Sequence, residues 1–282
     1  MPDWQPLGTP APADLVDARI QLHFAAQHVA AIGAALAVPR PDASHKSFTY
    51  DPQRSAVVGV RIDGPPPFRA ALVLPRLTLQ LLGDAGDVLA ELPLTGQTDA
   101  AVLQWLEAEG ERVLGLRREV PPHRYDTDFP THAVGEGAAY STTSGSPALA
   151  ELDRYYANTQ LLIESVMAAR DHGPSRIWPH HFDLAALIAA GKANDGRART
   201  VGVGMAPGDA GIEEPYWYVS PWPFPDASRL PKDDGLATWR AEPWFGARLP
   251  ASVLLAAGGD QAAQVTAFAE AAIERSLALL GA

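Results

Sequence analysis

The chain has 282 residues, room for one large domain or two small ones at roughly 100–200 residues per domain. Its 22 basic and 33 acidic residues give a net charge of −11, which repels nucleic acid and anionic membrane surfaces. With no cysteine, it has no disulfides, thiolate metal sites or cysteine nucleophiles.

The proline-rich start lacks the basic and apolar regions of a signal peptide, and no stretch reaches the roughly 18 apolar residues of a membrane span. A cytoplasmic protein is therefore expected. Positions 13–38 read as a first helix, stopped by Pro39 and Pro41. Leu15, Leu22, Val29 and Leu36 recur on one face, while Ile20, Phe24, Ala31 and Ala35 make the opposite face apolar. A helix apolar on both sides is expected to be buried. Between the faces runs a narrow stripe with His23 and Gln27. Strand-like runs follow at 56–62, at 68–82 with a bend at Pro75, and at 88–94. A helix spans 99–114 with Thr98 as N-cap. Positions 121–146 have no period and read as a long loop. A second long helix starts at Pro147 behind Ser146 and runs to 170. Strands at 177–189, 200–205, 216–222, 236–240 and 245–249 precede a last helix at 261–280. Segregation of helices from strands predicts an α+β fold, with antiparallel sheet meanders flanked by long helices in two helix–meander–helix halves. A single domain over 1–282 is expected, or two lobes, 1–120 and 147–282, joined by loop 121–146.

The sequence has no phosphate loop, no dinucleotide fingerprint, no GxSxG elbow and no HExxH. The densest group of chemically able side chains is Trp178-Pro179-His180-His181-Phe182-Asp183. In an extended segment, His181 and Asp183 share one face and His180 points to the other with Phe182. His181 and Asp183 then form an Asp–His pair or two ligands of one metal ion; the bland reading is ordinary hydrogen bonding at a strand start. In an antiparallel meander, the turn at 191–197 returns loop 206–215, with Asp209, Glu213 and Glu214, to the same sheet end. The bland counterpart there is a solvated acidic turn. Alternate residues of the run Tyr216–Trp222 share a face, so Tyr216 and Tyr218 are candidate pocket walls, with core packing as the alternative. His45 and the group His123, Asp126 and Asp128 read as surface-loop residues.

Three segments carry a resemblance: Ser175–Ala185 with its WPHHFD core, Val201–Asp209, and Glu214–Pro223. Together they resemble an uncharacterised bacterial protein family marked by WPHHFD, an SPGD-type turn and an EPYxYVxPWP strand. His23 with Gln27 is similar to its HxxxQ element, and Asp42–His45 to its DxSH element. A looser similarity links the chain to a broader domain of unknown function whose comparable stretch reads FWGSFDLA, without the double histidine. The chain departs from the family pattern at Ala206, in place of serine, and near His123. The resemblance implies that His23, His180, His181, Asp183 and Asp209 belong to one site, and it implies no activity.

Three functional readings follow. In the first, a small molecule binds at a His/Asp/aromatic site made of His23, Gln27, His180, His181, Asp183, Asp209, Glu214, Tyr216 and Tyr218. In the second, His181 and Asp183 hold a divalent metal ion for hydrolysis, with His180 or His23 as a further ligand or general base and Asp209 or Glu214 as proton acceptor. In the third, the cluster is purely structural and ties the first helix to the sheet. No motif decides between enzyme and binding protein. The sharpest expectation is spatial: a polar stripe in a buried helix must find partners, so His23 or Gln27 should lie within about 6 Å of the 180–183 segment.

Overall fold

The chain forms two units in the computed structural model, which describes residues 3–115, 120–121, 129–193 and 195–281. The N-terminal unit comprises Asp14–Asp153 and Ile177–Phe182; the C-terminal unit comprises Met1–Ala13, Arg154–Arg176 and Asp183–Ala282. The fold is mixed α+β with antiparallel pairing throughout the described strand pairs. Among the described residues, no helix is long and apolar enough to cross a membrane.

In the N-terminal unit, α1 (Val16–Leu36) lies over strands β2 (Ala56–Gly59) and β3 (Phe68–Val73). Every residue of α1 from Gln21 to Gly33 is buried, as its two apolar faces require. The close approach depends on small residues: a Cβ on Gly33 would stand 2.4 Å from the His45 carbonyl oxygen, and one on Gly59 2.9 Å from a Val29 methyl. Strand β1 (Phe48–Asp51) pairs with β2, and β3 continues into β4 (Thr78–Gly83) and β5 (Val88–Pro93). The expected single run over 68–82 is two strands. Pro75 sits in a turn of 3-10 helix at Leu74–Arg76, and Leu77 adopts a left-handed φ of 45°, so the chain reverses instead of bending. Helix α2 (Asp99–Leu114) begins where expected, and the Thr98 hydroxyl accepts the Ala101 N–H at 3.2 Å. Strand β6 (Arg176–Trp178) pairs with β1 through Ile177 and Phe48.

Helix α3 (Pro147–Met167) starts behind Ser146, and one of the four passages of the chain between the units falls within it, at 153–154. Residues 122–128, with His123, Asp126 and Asp128, lie outside the described residues. The C-terminal unit holds β7 (Asp183–Lys192), β8 (Ala198–Ala206), β9 (Tyr216–Trp222), β10 (Thr238–Arg240) and β11 (Gly246–Pro250). Their order is β10-β11-β9-β8-β7. Register places Leu184, Met205, Trp217 and Leu249 in one cross-strand row, all buried. Short α4 (Ala251–Ala257) packs against β11, and α5 (Gln261–Leu280) against β8, β9 and β11.

Candidate functional site

The segment expected to run as one strand from Ile177 to Ala189 is broken. A turn at 179–182 separates β6 from β7, closed by Phe182 N–H donating to the Trp178 carbonyl at 2.7 Å, with Phe182 at φ 56°. A left-handed φ is uncommon for a bulky residue and stops strict side-chain alternation. The argument that alternation puts His181 and Asp183 on one face therefore fails. The apolar run Leu184–Ala189 hid the break, because it reads on as one strand with Ile177 and Trp178 across Pro179.

His23 and Gln27 reach this turn. His23 Nε2 donates to the Pro179 carbonyl at 2.8 Å, and Gln27 Nε2 donates to the same oxygen at 2.8 Å and to the His23 carbonyl at 3.1 Å. A carbonyl only accepts, so these contacts fix His23 as the Nε2–H tautomer and fix the orientation of the Gln27 amide. The His23 ring stacks on Phe182 at 5.5 Å between centroids and lies 4.5 Å from the Phe129 ring. Burial lowers its pKa to about 3. The Pro179 hydrogen bond opposes the shift, while Arg19, His181 and His180 add to it, so the imidazole is neutral at pH 7. Gln27 Oε1 is buried with no hydrogen-bond partner. The rings of His180 and His181 are 4.4 Å apart, and His181 is exposed.

Asp183, Asp209, Glu214, Tyr216 and Tyr218 belong to the C-terminal unit. Glu214 is occupied as a helix cap: its carboxylate accepts from Ser252 N at 2.8 Å and Ser252 Oγ at 2.6 Å, at the start of α4. Asp209 Oδ1 accepts from the backbone N–H of Gly211 at 2.7 Å and Ile212 at 2.8 Å, an Asx turn of the type Pro-Gly-Asp favours. Its Oδ2 accepts the Tyr216 hydroxyl. The Tyr218 hydroxyl donates to Asp183 Oδ2, while Asp183 Oδ1 is buried with no hydrogen-bond partner. Burial first, then the neighbouring carboxylate, raises the pKa of both tyrosines, so both stay protonated and act as donors.

Register explains how these residues meet. Ala206 pairs with Tyr216, and Asp183 is the next position outward from the pair Leu184 and Met205, so Asp183, Ala206 and Tyr216 share a face. Ala185, Gly204, Tyr218 and Arg248 form the next row on that face. Since β8 lies between β9 and β7, the Tyr218 side chain crosses it to reach Asp183. A Cβ on Gly204 would stand 2.4 Å from the Leu184 carbonyl oxygen.

Arg248 was missed in the sequence. Arg248 is buried, its guanidinium 4.0 Å from the centre of the Trp244 ring, and its Nη2 donates to the carbonyls of Glu242 and Trp244. Tyr218 meets the Trp244 ring edge-on at 5.7 Å, and Gly246 admits that indole because a Cβ there would stand 2.4 Å from it. Only the pairing of Arg248 with Tyr218 reveals this neighbourhood, and no local sequence signal announces it. Among the described residues, no group of three or more His, Cys, Asp or Glu gathers as a metal site requires. No family model, no curated protein and no solved structure matches the chain.

Proposed function

We propose that the protein binds a small molecule on the β7–β8–β9 face of the C-terminal unit, with Asp183 and Tyr218 as its polar end and Tyr216 and Asp209 beside them. One observation carries the reading: Asp183 Oδ1 is buried and accepts no hydrogen bond, although its partner oxygen does. An acceptor left unpaired costs about 1–3 kcal/mol, which a ligand donor would offset. Asp183→Asn keeps the shape and removes the charge. A small-molecule screen by thermal shift should find ligands that stabilise the native protein and lose at least tenfold in affinity with this variant. A screen whose hits bind both proteins equally would discard the site.

A structural role has its own support in the N-terminal unit. His23 and Gln27 hold the Pro179 carbonyl with two donors, which anchors α1 to the turn at 179–182. We therefore place them outside the binding site. The metal-hydrolase reading has His181 and Asp183 as candidate ligands and gains no third from the described residues.

A further inference from the structure

We propose that the ligand at this site is an amphipathic amine, its ammonium group at Asp183 and its apolar body laid along the sheet face toward Leu187 and Trp222. The inference rests on the binding reading above and names its ligand class.

The charge at the polar end is uncompensated. Tyr218 fills Asp183 Oδ2 with a neutral donor, and Asp183 has no ion pair among the described residues. Of the cations on the same face, Arg248 is engaged with the Trp244 ring and two carbonyls, and Arg240 is paired with Asp233. The group that completes Oδ1 must be a donor. A charged donor forms a hydrogen bond about twice as strong as a neutral one, and the chain's net charge of −11 draws cations toward it. The part-exposed ring of Tyr218, 6.3 Å from the buried Tyr216 ring, adds an aromatic face that suits a cation.

The same face turns apolar away from Asp183. After the row of Ala185, Gly204 and Tyr218 comes the row of Leu187, Gly202 and Ser220, followed by Ala189, Thr200 and Trp222. Gly204 and Gly202 give the middle strand no side chains of its own on this face; Tyr218 crosses at Gly204, and beyond that ring an apolar lane runs from Gly202 toward Trp222. Leu187 leans over it, its methyl 3.5 Å from where a Gly202 Cβ would stand. Leu187 is 52% exposed, Trp222 49% and Phe224 47%, and the last two rings meet edge-on at 5.1 Å. Leu187 stands four positions beyond Asp183, about 13 Å of strand. Such exposed large apolar side chains on the lane suit the body of a ligand whose head sits at the carboxylate.

Isothermal titration calorimetry with n-butylamine, n-hexylamine, n-octylamine, n-hexanol and hexanoate tests this. On the wild-type protein, hexylamine should bind at least tenfold more tightly than hexanol, and hexanoate weakest of the three. Affinity should rise about threefold to fourfold per methylene of the amine. Asp183→Asn should erase the preference of amine over alcohol, and Leu187→Thr should flatten the chain-length series while keeping that preference. Hexanol or hexanoate binding as tightly as hexylamine, with sensitivity to Asp183→Asn, would overturn the amine assignment and leave the site standing. A flat length series in the wild type would overturn the apolar lane. Absence of binding by every probe overturns the amine assignment, and the binding reading falls with it only when the thermal-shift screen also yields no Asp183-dependent ligand.

Discussion

His23 is a neutral imidazole held between aromatic rings, and its protonation is linked to folding. Its folded-state pKa, about 3, lies below the ordinary value of 6.5 because burial disfavours the cation. The unfolded chain therefore takes up a proton first. The stability this residue contributes is present above pH 6.5 and is lost as pH falls toward 3, at up to about 1.4 kcal/mol per pH unit. His23→Gln keeps a donor without the titration. Between pH 7 and pH 5 the wild type should lose about 2 kcal/mol more than this variant in urea unfolding, the amount a single such shift supplies over that window. Parallel losses would show that the folded protein protonates His23 as readily as the unfolded chain does. The residue types of the candidate site were legible at this scale: His23, Gln27, Asp183, Asp209, Tyr216 and Tyr218 each make specific polar contacts, with Gln27 Oε1 and Asp183 Oδ1 left without a partner. Their division between two units was not legible, because it depends on where the chain turns at 179–182.

At the scale of elements, the elements announced by local chemistry came through and the ones set by distant contacts did not. Thr98 and Pro147 mark starts that need only the next few residues, and α2 and α3 begin there. Strand β1, four residues long with Thr49 exposed, has too short a pattern to stand out, and it exists because Phe48 and Tyr50 are buried against partners on either side. Gly33 shows how tertiary contact reverses a propensity. In an isolated helix, replacing glycine by alanine gains about 1 kcal/mol. In α1 the added Cβ would stand 2.4 Å from the backbone oxygen of His45, and that segment would have to move. Overpacking of this kind costs about 1–3 kcal/mol, so Gly33→Ala should destabilise the protein by up to about 2 kcal/mol in urea unfolding. A stabilised variant would mean that the 40–47 loop yields freely.

For the whole molecule, composition and element order gave the α+β class, while the interleaving of the chain came only from contacts far apart in sequence. The His23 to Pro179 bond spans 156 residues, and neither residue type specifies the other. The chain passes between units at 13–14, 153–154, 176–177 and 182–183, so each unit borrows segments from the other's stretch of sequence. A cut between Ser146 and Pro147 separates the lobes that sequence alone suggests, and it strips both. Fragment 1–146 loses the Ile177 partner of Phe48 and the Pro179 oxygen, leaving the side-chain donors of His23 and Gln27 without that acceptor. Fragment 147–282 loses Gln5, whose backbone exchanges two hydrogen bonds with the Asn158 side chain at 2.7 and 2.8 Å. It also loses Leu7, which exchanges bonds with Gln261 at 3.0 and 3.1 Å, and the Trp4 ring 6.1 Å from Trp217. Buried donors and acceptors left without partners cost about 1–3 kcal/mol each, against total stabilities of about 5–15 kcal/mol. Each fragment expressed alone should therefore lack a cooperative urea transition, and co-expression of the two should restore a complex with the near-ultraviolet circular dichroism of the intact chain. A sigmoidal transition from fragment 147–282 by itself would show that the C-terminal unit folds without residues 3–13.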